Sequence, residues 1–104
     1  MEDPKAQLIS ALDQAIAVLA AAGETHWRQW LEVGRCKVLV DDASGPQHLL
    51  RAFGGMGSFN DLVLSPLNGH AGDEDTLRNS NDRLWDLRDS IWSACHSLPG
   101  ECAS

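Results

Sequence analysis

The sequence predicts an all-α protein, a small bundle of about four helices with a glycine-rich loop between helices three and four. Apolar residues recur at spacings of three and four in three long segments, which indicates one buried face per helix. Prolines, glycines and small polar residues stand at the ends of these segments, where helices begin and end. With 104 residues, the chain suits a single core. We therefore treat residues 1–104 as one helical domain and expect a flexible tail at 99–104.

The first predicted helix covers residues 2–23 and has the clearest pattern. Asp3 can accept hydrogen bonds from the open N–H groups, and Pro4 suits the first helical position. Gly23 is expected to end the helix in a left-handed conformation. The apolar stripe consists of Leu8, Leu12, Ala15, Ile16 and Leu19, and Ile9 widens it.

The second predicted helix covers residues 25–40, with Thr25 as its candidate cap. Gly34 lies inside it, where glycine costs about 1 kcal/mol relative to alanine. We attribute this glycine to the close approach of a neighbouring helix or of a tryptophan. β-branched residues cluster at 36–40, so a short strand there is the alternative. The shared apolar face comprises Trp27, Trp30, Leu31, Gly34 and Val38.

A turn is predicted at 41–46, followed by a short third helix over 46–53 that Pro46 opens and Gly54 ends. Its expected buried residues are Leu49, Leu50 and Phe53. Residues 61–65 are then expected to form either one short strand or one helical turn.

The last predicted helix covers residues 76–98. Prolines and glycines keep the chain irregular before it, and Pro99 with Gly100 ends it. Trp85 and Trp92 lie two turns apart beside its apolar stripe. That stripe consists of Leu77, Leu84, Leu87, Ile91, Cys95 and Leu98.

The net charge of −7 is unevenly distributed. Residues 1–52 hold seven acids against five bases, which gives −2, and residues 53–104 hold eight against three, which gives −5. Such a surface repels phosphate groups, so we expect no nucleic-acid partner. It attracts a basic partner protein, although solubility alone explains the acidity equally well.

Composition also indicates the cellular compartment of the protein. No apolar run approaches the roughly 20 residues of a membrane span, and the acidic start does not resemble a signal peptide. The three cysteines, Cys36, Cys95 and Cys102, are interpreted as reduced thiols rather than as a disulfide framework. These features predict a cytoplasmic protein with no membrane partner.

Neither metal binding nor catalysis is expected, so we predict no cofactor and no enzyme. The histidines and cysteines form no Cys-x-x-Cys, His-x-x-x-His or Glu-x-x-His pair that would converge on a metal. Ser58 with Asp61 lacks the G-x-S-x-G turn that presents a nucleophilic serine. Cys36 would be activated by its basic neighbours only if exposed, and a buried, inert thiol is the preferred interpretation. His26 and His48 are interpreted as solvent-facing or capping groups.

The sequence Gly-Gly-Met-Gly-Ser at residues 54–58 allows three interpretations. As a turn, it would thread Met56 and Phe59 into the core. Its N–H groups could instead form an anion-binding nest, although no lysine follows as in a phosphate loop and Asp61 adds negative charge. Loops held on rigid helices also commonly contact partners, so a recognition surface is the third interpretation.

The chain has four tryptophans and no tyrosine, which is many indoles for so small a core. We therefore expect at least one of them at the surface, where tryptophan is favoured at binding hot spots. Trp85 is the preferred candidate because its neighbours are charged. These neighbours are Asp82, Arg83, Asp86 and Arg88.

Two segments resemble a family of short bacterial proteins of unknown function. They are HWRQWL at 26–31 and LLRAFGGMGSFNDLVL at 49–64. In that family a histidine–tryptophan helix precedes a Gly-Gly-Met-Gly-Ser-x-Asn-Asp loop. The residues that match are His26, Trp27, Gly54, Gly55, Met56, Gly57, Ser58, Asn60 and Asp61. Members of such families resemble the small immunity proteins that protect bacteria from toxins delivered between cells.

This resemblance implies an immunity-type interaction protein, or antitoxin, which neutralises a cognate toxin with a basic surface by occluding the toxin's active site. The alternative is a small-molecule or anion-binding regulatory domain that uses the glycine-rich loop. The expected partner-binding residues are Gly54, Gly55, Met56, Gly57, Ser58, Asn60, Asp61, Asp73, Glu74, Asp75, Asp82, Trp85, Asp86 and Asp89.

Overall fold

The computed structural model describes residues 3–53, 59 and 62–98 of the chain. This described part folds as four helices, α1 (Pro4–Ala22), α2 (Thr25–Leu39), α3 (Ser44–Leu50) and α4 (Glu74–Ser97). It contains no strand, so the predicted all-α class and small bundle are confirmed. The predicted glycine-rich loop at 54–58, together with Asn60, Asp61 and the tail at 99–104, lies outside the described residues.

The helices enclose one apolar core. α1 packs against both α2 and α4, and α3 packs mainly on α2 while also touching α4. The predicted stripe of α1 is confirmed, with Ile9 and Ile16 half-buried at its edges. The largest fully buried side chains are Phe59, Leu8, Leu12, Leu19, Leu31, Leu49, Leu64, Leu84, Ile91 and Cys95. Every helix therefore contributes to this core, as does the segment between α3 and α4.

The junction of α1 and α2 depends on two adjacent residues. Gly23 ends α1 in the left-handed region, with φ at 76°, as predicted. The cap of α2 is Glu24 rather than Thr25, since the Glu24 carboxylate accepts a hydrogen bond from the N–H of Trp27 at 2.9 Å. The prediction of Thr25 as the cap was wrong because the longer carboxylate one residue earlier already satisfies that N–H group.

α2 continues as a helix to Leu39, so the alternative of a strand at 36–40 was wrong. Its apolar phase runs unbroken through Gly34 and Val38, both of which are buried. A Cβ atom at position 34 would lie 2.6 Å from Cγ of Leu49. The glycine thus allows α3 to approach α2 closely, which confirms the neighbouring-helix explanation.

α3 begins at Ser44, two residues before the predicted start at Pro46. Asp42 explains the early start, since its carboxylate accepts hydrogen bonds from the N–H and hydroxyl groups of Ser44 at 2.9 and 2.8 Å. The helix then tightens into a 3₁₀ turn at Arg51–Phe53. Phe53 is half-buried rather than buried, so one side of its ring remains available.

Residues 62–65 are neither a strand nor a helical turn, so both predicted alternatives for this segment were wrong. The side-chain amide of Asn81 takes the place of a neighbouring strand. Its Oδ1 accepts from the N–H of Leu64 at 2.8 Å, and its Nδ2 donates to the Leu64 carbonyl at 2.9 Å. One side chain of α4 thereby satisfies both backbone groups of a buried residue.

α4 begins at Glu74 and is capped by Asp73, whose carboxylate accepts from the N–H of Thr76 at 2.8 Å. The predicted stripe is confirmed at every position except Leu98, which is half-buried. Arg88 and Ala94 are also buried on this side. The opposite side of α4 faces outward for its full length.

One helix of the described residues, α1, is long and apolar enough by length and composition to cross a membrane, and 33% of its most apolar window is buried inside the bundle. The sequence-based expectation that no segment is long and apolar enough to span a membrane was therefore wrong. A single such helix near the N-terminus is weak evidence for a span, because a buried core helix and a signal sequence meet the same criterion.

Candidate protein-binding face of helix α4

The outward side of α4 bears a line of carboxylates. Asp75, Asp82, Asp86 and Asp89 follow one another at spacings of seven, four and three residues, so they project from one side of the helix. All four are exposed. At a rise of about 1.5 Å per residue, the line is roughly 21 Å long. We call these four residues together with Trp85 the acidic face of α4.

Most of this negative charge has no counter-ion nearby. Among the described residues, Asp82, Asp86 and Asp89 form no ion pair. Asp75 is 3.3 Å from Arg78, in an exposed pair one turn apart, and such pairs are weak. The acidic face therefore presents a negative potential to solvent.

The start of α4 adds two further acids, Asp73 and Glu74, and Asp73 has a structural role. The N–H of Thr76 donates to Asp73 and holds the pKa of that carboxyl below its ordinary value of 3.8. Glu74 and Asp75 are exposed in the first turn, where negative charge favours the helix dipole. Asp73 therefore acts as a cap, whereas its two neighbours remain available to a partner.

Trp85 is 72% exposed, as the sequence predicted. Trp92, which was not expected to be a contact residue, is 47% exposed and lies two turns further along α4. Positions seven apart differ by only about 20° around a helix, so both indoles lie on the same side. This spacing was a usable signal in the sequence. The Trp92 ring also contacts the ring of His96, at a centroid distance of 4.3 Å.

A groove of about 340 Å³ lies beside these indoles. Its lining residues are Phe53, Trp85, Asp86, Arg88, Asp89 and Trp92, and we call it the aromatic groove. Three aromatic rings and two carboxylates thus border one concave surface. The volume is at the low end of ligand pockets, which span about 300–1,000 Å³.

Arg88 was expected among the exposed charges around Trp85, and this expectation was wrong. The residue is only 7% exposed. Its Nη2 donates to the carbonyl of Leu62 at 2.5 Å, and its guanidinium lies 5.1 Å from the ring centre of Phe59. A carbonyl and an aromatic ring both stabilise a guanidinium, which explains why the base points inward.

The aromatic groove adjoins the residues that flank the glycine-rich segment. The rings of Phe53 and Phe59 pack edge to face at 6.0 Å, and Phe59 is fully buried, as the turn interpretation of the glycine-rich segment expects. Phe53 lines the groove, and Arg88 joins Phe59 and Leu62 to α4. The predicted contacts Gly54, Gly55, Met56, Gly57, Ser58, Asn60 and Asp61 lie outside the described residues.

Two further sequence-based expectations are corrected by the packing of α2. Cys36 is exposed rather than buried, because it lies five positions after Leu31 and so on the opposite side from the buried stripe. His48 is half-buried rather than fully solvent-facing. Its ring stacks on Trp30 at 4.1 Å, and the Trp30 indole N–H donates to the His48 carbonyl at 3.0 Å, so the pair joins α2 to α3.

A buried polar contact between His70 and Glu24 was not predicted from the sequence. The N–H of Ser65 donates to Nδ1 of His70 at 3.0 Å, so Nδ1 bears no proton and Nε2 is left to donate to Glu24 at 3.3 Å. Both side chains are largely buried, with 5% and 15% exposed. The contact fixes the α3–α4 connection against the cap of α2 and lies apart from the aromatic groove.

Within the described residues, no group of three or more histidine, cysteine, aspartate or glutamate side chains is arranged to hold a metal ion. The acidic face is a linear array along one helix rather than a convergent cage. Its geometry suits contact with an extended, positively charged surface.

These features define a small helical protein with an acidic, aromatic outer face. The chain belongs to the family described as a domain of unknown function, DUF6966, which matches residues 20–73, just over half of the 104 residues. The match runs from the end of α1 to Asp73 and thus includes the glycine-rich segment, whereas the acidic face beyond Asp73 lies outside it. No curated protein and no solved structure matches the chain.

Proposed function

We propose that this protein is an immunity-type interaction protein of the cytoplasm, which binds a cognate bacterial toxin and blocks the toxin's active site. The main supporting observation is Trp85, an indole that is 72% exposed on the acidic face of α4, where three of the four acids form no ion pair among the described residues. Exposed tryptophan is costly in water and is enriched at binding hot spots.

The charge distribution supports a basic partner. The chain has a net charge of −7, and the acidic face of α4 concentrates part of it on one surface. Complementary charge speeds association and suppresses binding to acidic proteins. Occlusion of an active site requires no chemistry from the inhibitor, which is consistent with a linear acidic array as the functional element.

The glycine-rich segment is a second element of the proposed interface. The residues on its two sides, Phe53 and Phe59, contact each other beside the acidic face. A partner that covers the aromatic groove therefore also reaches the flanks of this segment. The proposed contacts are the fourteen residues named from the sequence, with Trp92 and Phe53 added.

Co-expression with the candidate toxin encoded by the neighbouring gene tests the proposal. We expect a complex that copurifies and cells that survive toxin induction. The variant Asp82→Asn/Asp86→Asn should weaken both outcomes. The control Asp13→Asn/Glu32→Gln changes the charge equally but lies on α1 and α2, and it should retain both.

The proposal is wrong if the wild-type protein neither binds the toxin nor protects cells. It is also wrong in its choice of surface if the two double variants lose binding to the same extent. In that case net charge, rather than the acidic face of α4, would determine binding.

A further inference from the structure

We infer that the aromatic groove binds an arginine side chain presented by a segment of the partner protein. This inference rests on the proposed function in one respect, since the arginine is assigned to the toxin. It goes further by naming the chemical group that is recognised and the residues that recognise it, which are Trp85, Trp92, Asp86 and Asp89.

The two indoles provide aromatic faces at a suitable spacing. Trp85 and Trp92 are seven residues apart, which places them about 10.5 Å apart along the helix axis. A planar group in van der Waals contact with a ring lies about 3.5–4 Å from it. A side chain can therefore enter between the indoles and stack on either one, in the groove that Phe53 also lines.

The carboxylates specify the charge of the occupant. Asp89 lies four residues after Trp85 and three before Trp92, so it projects between the two indoles. Asp86 lines the same groove. An apolar occupant would strip water from both carboxylates without replacing their hydrogen bonds, and an anion would be repelled. A cation satisfies both carboxylates.

Arg88 does not fill this role. It lines the groove, but it is 7% exposed and its guanidinium is engaged with the Leu62 carbonyl and the Phe59 ring. These contacts hold the guanidinium on the inner side, and the two exposed carboxylates of Asp86 and Asp89 outnumber this single positive charge. The groove as a whole therefore remains negative.

Arginine fits better than lysine. A guanidinium is planar, stacks on aromatic faces and offers parallel N–H donors to carboxylates, whereas an ammonium is a compact and strongly hydrated charge. Tryptophan is the aromatic residue that attracts cations most strongly. The combination of exposed indoles with carboxylates between them therefore selects the guanidinium.

Nuclear magnetic resonance of the ¹⁵N-labelled full-length protein tests this inference. The indole N–H signals of Trp85 and Trp92 can be assigned from Trp85→Phe and Trp92→Phe variants. The probe is the peptide acetyl-Gly-Arg-Gly-Arg-Gly-amide, and its matched controls replace both arginines with citrulline, which is neutral and nearly isosteric, or with lysine.

We expect the arginine peptide to shift the Trp85 and Trp92 signals and to leave those of Trp27 and Trp30 nearly unchanged. The citrulline peptide should bind at least about tenfold more weakly, because it lacks the charge that the indoles and carboxylates attract. The lysine peptide should bind with an affinity between those of the arginine and citrulline peptides. Asp89→Asn should weaken arginine binding, whereas Asp82→Asn, on the same helix but outside the groove lining, should not.

Equal binding of the citrulline peptide, or an equal loss in the two aspartate variants, would overturn the inference. A toxin complex that forms normally with Trp85→Ala and Asp89→Asn would also overturn it while leaving the proposed function intact. Conversely, specific binding of the arginine peptide by a protein that gives no protection from the toxin would support arginine recognition by the aromatic groove and refute the proposed function.

Discussion

Nε2 of His70 lies 3.3 Å from Oε1 of Glu24, across 46 positions of sequence. The second oxygen of the same carboxylate caps α2 through the N–H of Trp27. The peptide N–H of Ala71, next to this histidine, donates to the Ala22 carbonyl at 2.8 Å. A single point of the fold thus joins the end of α1, the start of α2 and the connection that leads to α4.

Replacement of His70 tests the importance of that point. His70→Ala should lower the free energy of unfolding by about 2 kcal/mol, because the N–H of Ser65 and the carboxylate of Glu24 lose a buried partner. His70→Asn should recover part of the loss, since its carbonyl can accept from the Ser65 N–H. Urea denaturation measures both variants. Equal stability of His70→Ala and the wild type would contradict the assigned role.

Gly34→Ala tests the close approach of α2 and α3. Alanine gains about 1 kcal/mol of helix propensity, but its Cβ would overlap Leu49, which is fully buried and cannot move freely. We expect a net loss of about 1–2 kcal/mol from overpacking. In a Leu49→Ala background the same substitution should cost less, and this double-mutant cycle identifies the contact. Gln29→Ala, at an exposed position of α2, is the control.

The cap of α4 gives the protein a predictable response to acid. The pKa of Asp73 is lowered because the Thr76 N–H donates to its charged form. The ionised cap therefore stabilises the folded state fully when the pH is above 3.8, the ordinary pKa of the carboxyl. This stabilisation is lost as the pH falls through the lower pKa of the folded state. Asp73→Ser caps without titrating, so its stability relative to the wild type should rise in acid. A constant difference between the two proteins across this range would rule out the mechanism.

Substitution of Trp85 should affect partner binding but not stability, whereas substitution of Trp30 should affect stability. Trp85→Ala should change the free energy of unfolding by less than about 0.5 kcal/mol, as expected for an exposed site, yet weaken partner binding by about 2 kcal/mol or more. Trp30→Phe should instead destabilise the fold by about 1 kcal/mol, because the indole N–H bond to the His48 carbonyl is lost. Denaturation and calorimetric titration of the toxin separate the two effects. Strong destabilisation by Trp85→Ala would contradict the structure.

Thiol labelling distinguishes Cys36 from Cys95. Cys36 is exposed and Cys95 is fully buried in the core. Iodoacetamide should therefore modify Cys36 in the native protein, whereas Cys95 should react slower by a factor on the order of 10³ or more, since its labelling requires unfolding. Mass spectrometry of peptides cleaved after glutamate resolves the two sites, because Glu74 lies between them and Glu101 separates Cys95 from Cys102. Comparable rates in native buffer would show that Cys95 is not in a closed core.

Much of the fold was predictable because its signals are local. In α1, the apolar residues recur every three or four positions, and Pro4 and Gly23 mark the ends of the helix. In α4, a stripe of the same spacing follows an acidic first turn. The errors arose where a more distant group decided the outcome. The amide of Asn81, in α4, satisfied a segment that had been expected to pair as a strand or form a helical turn. The cap of α2 is a local exception, because the adjacent Glu24 took the role expected of Thr25.

The candidate site was predictable in part for the same reason. The exposure of Trp85 followed from its charged neighbours in sequence, and Trp92 shares the same helical phase. Arg88 could not be placed in this way, because its guanidinium is held by Leu62 and Phe59 from a different segment. The contact of His70 with Glu24 has no local signature, since each residue alone resembles an ordinary polar surface group.

The edge-to-face contact between Phe53 and Phe59 also makes the chain a candidate scaffold for engineering. Since the two rings already hold the entry and exit points together, a foreign peptide grafted between them would have both ends anchored. Each doubling of the insert length would cost only about 0.6 kcal/mol in closure entropy. New binding specificities could therefore be introduced at this position while the helices keep their native packing.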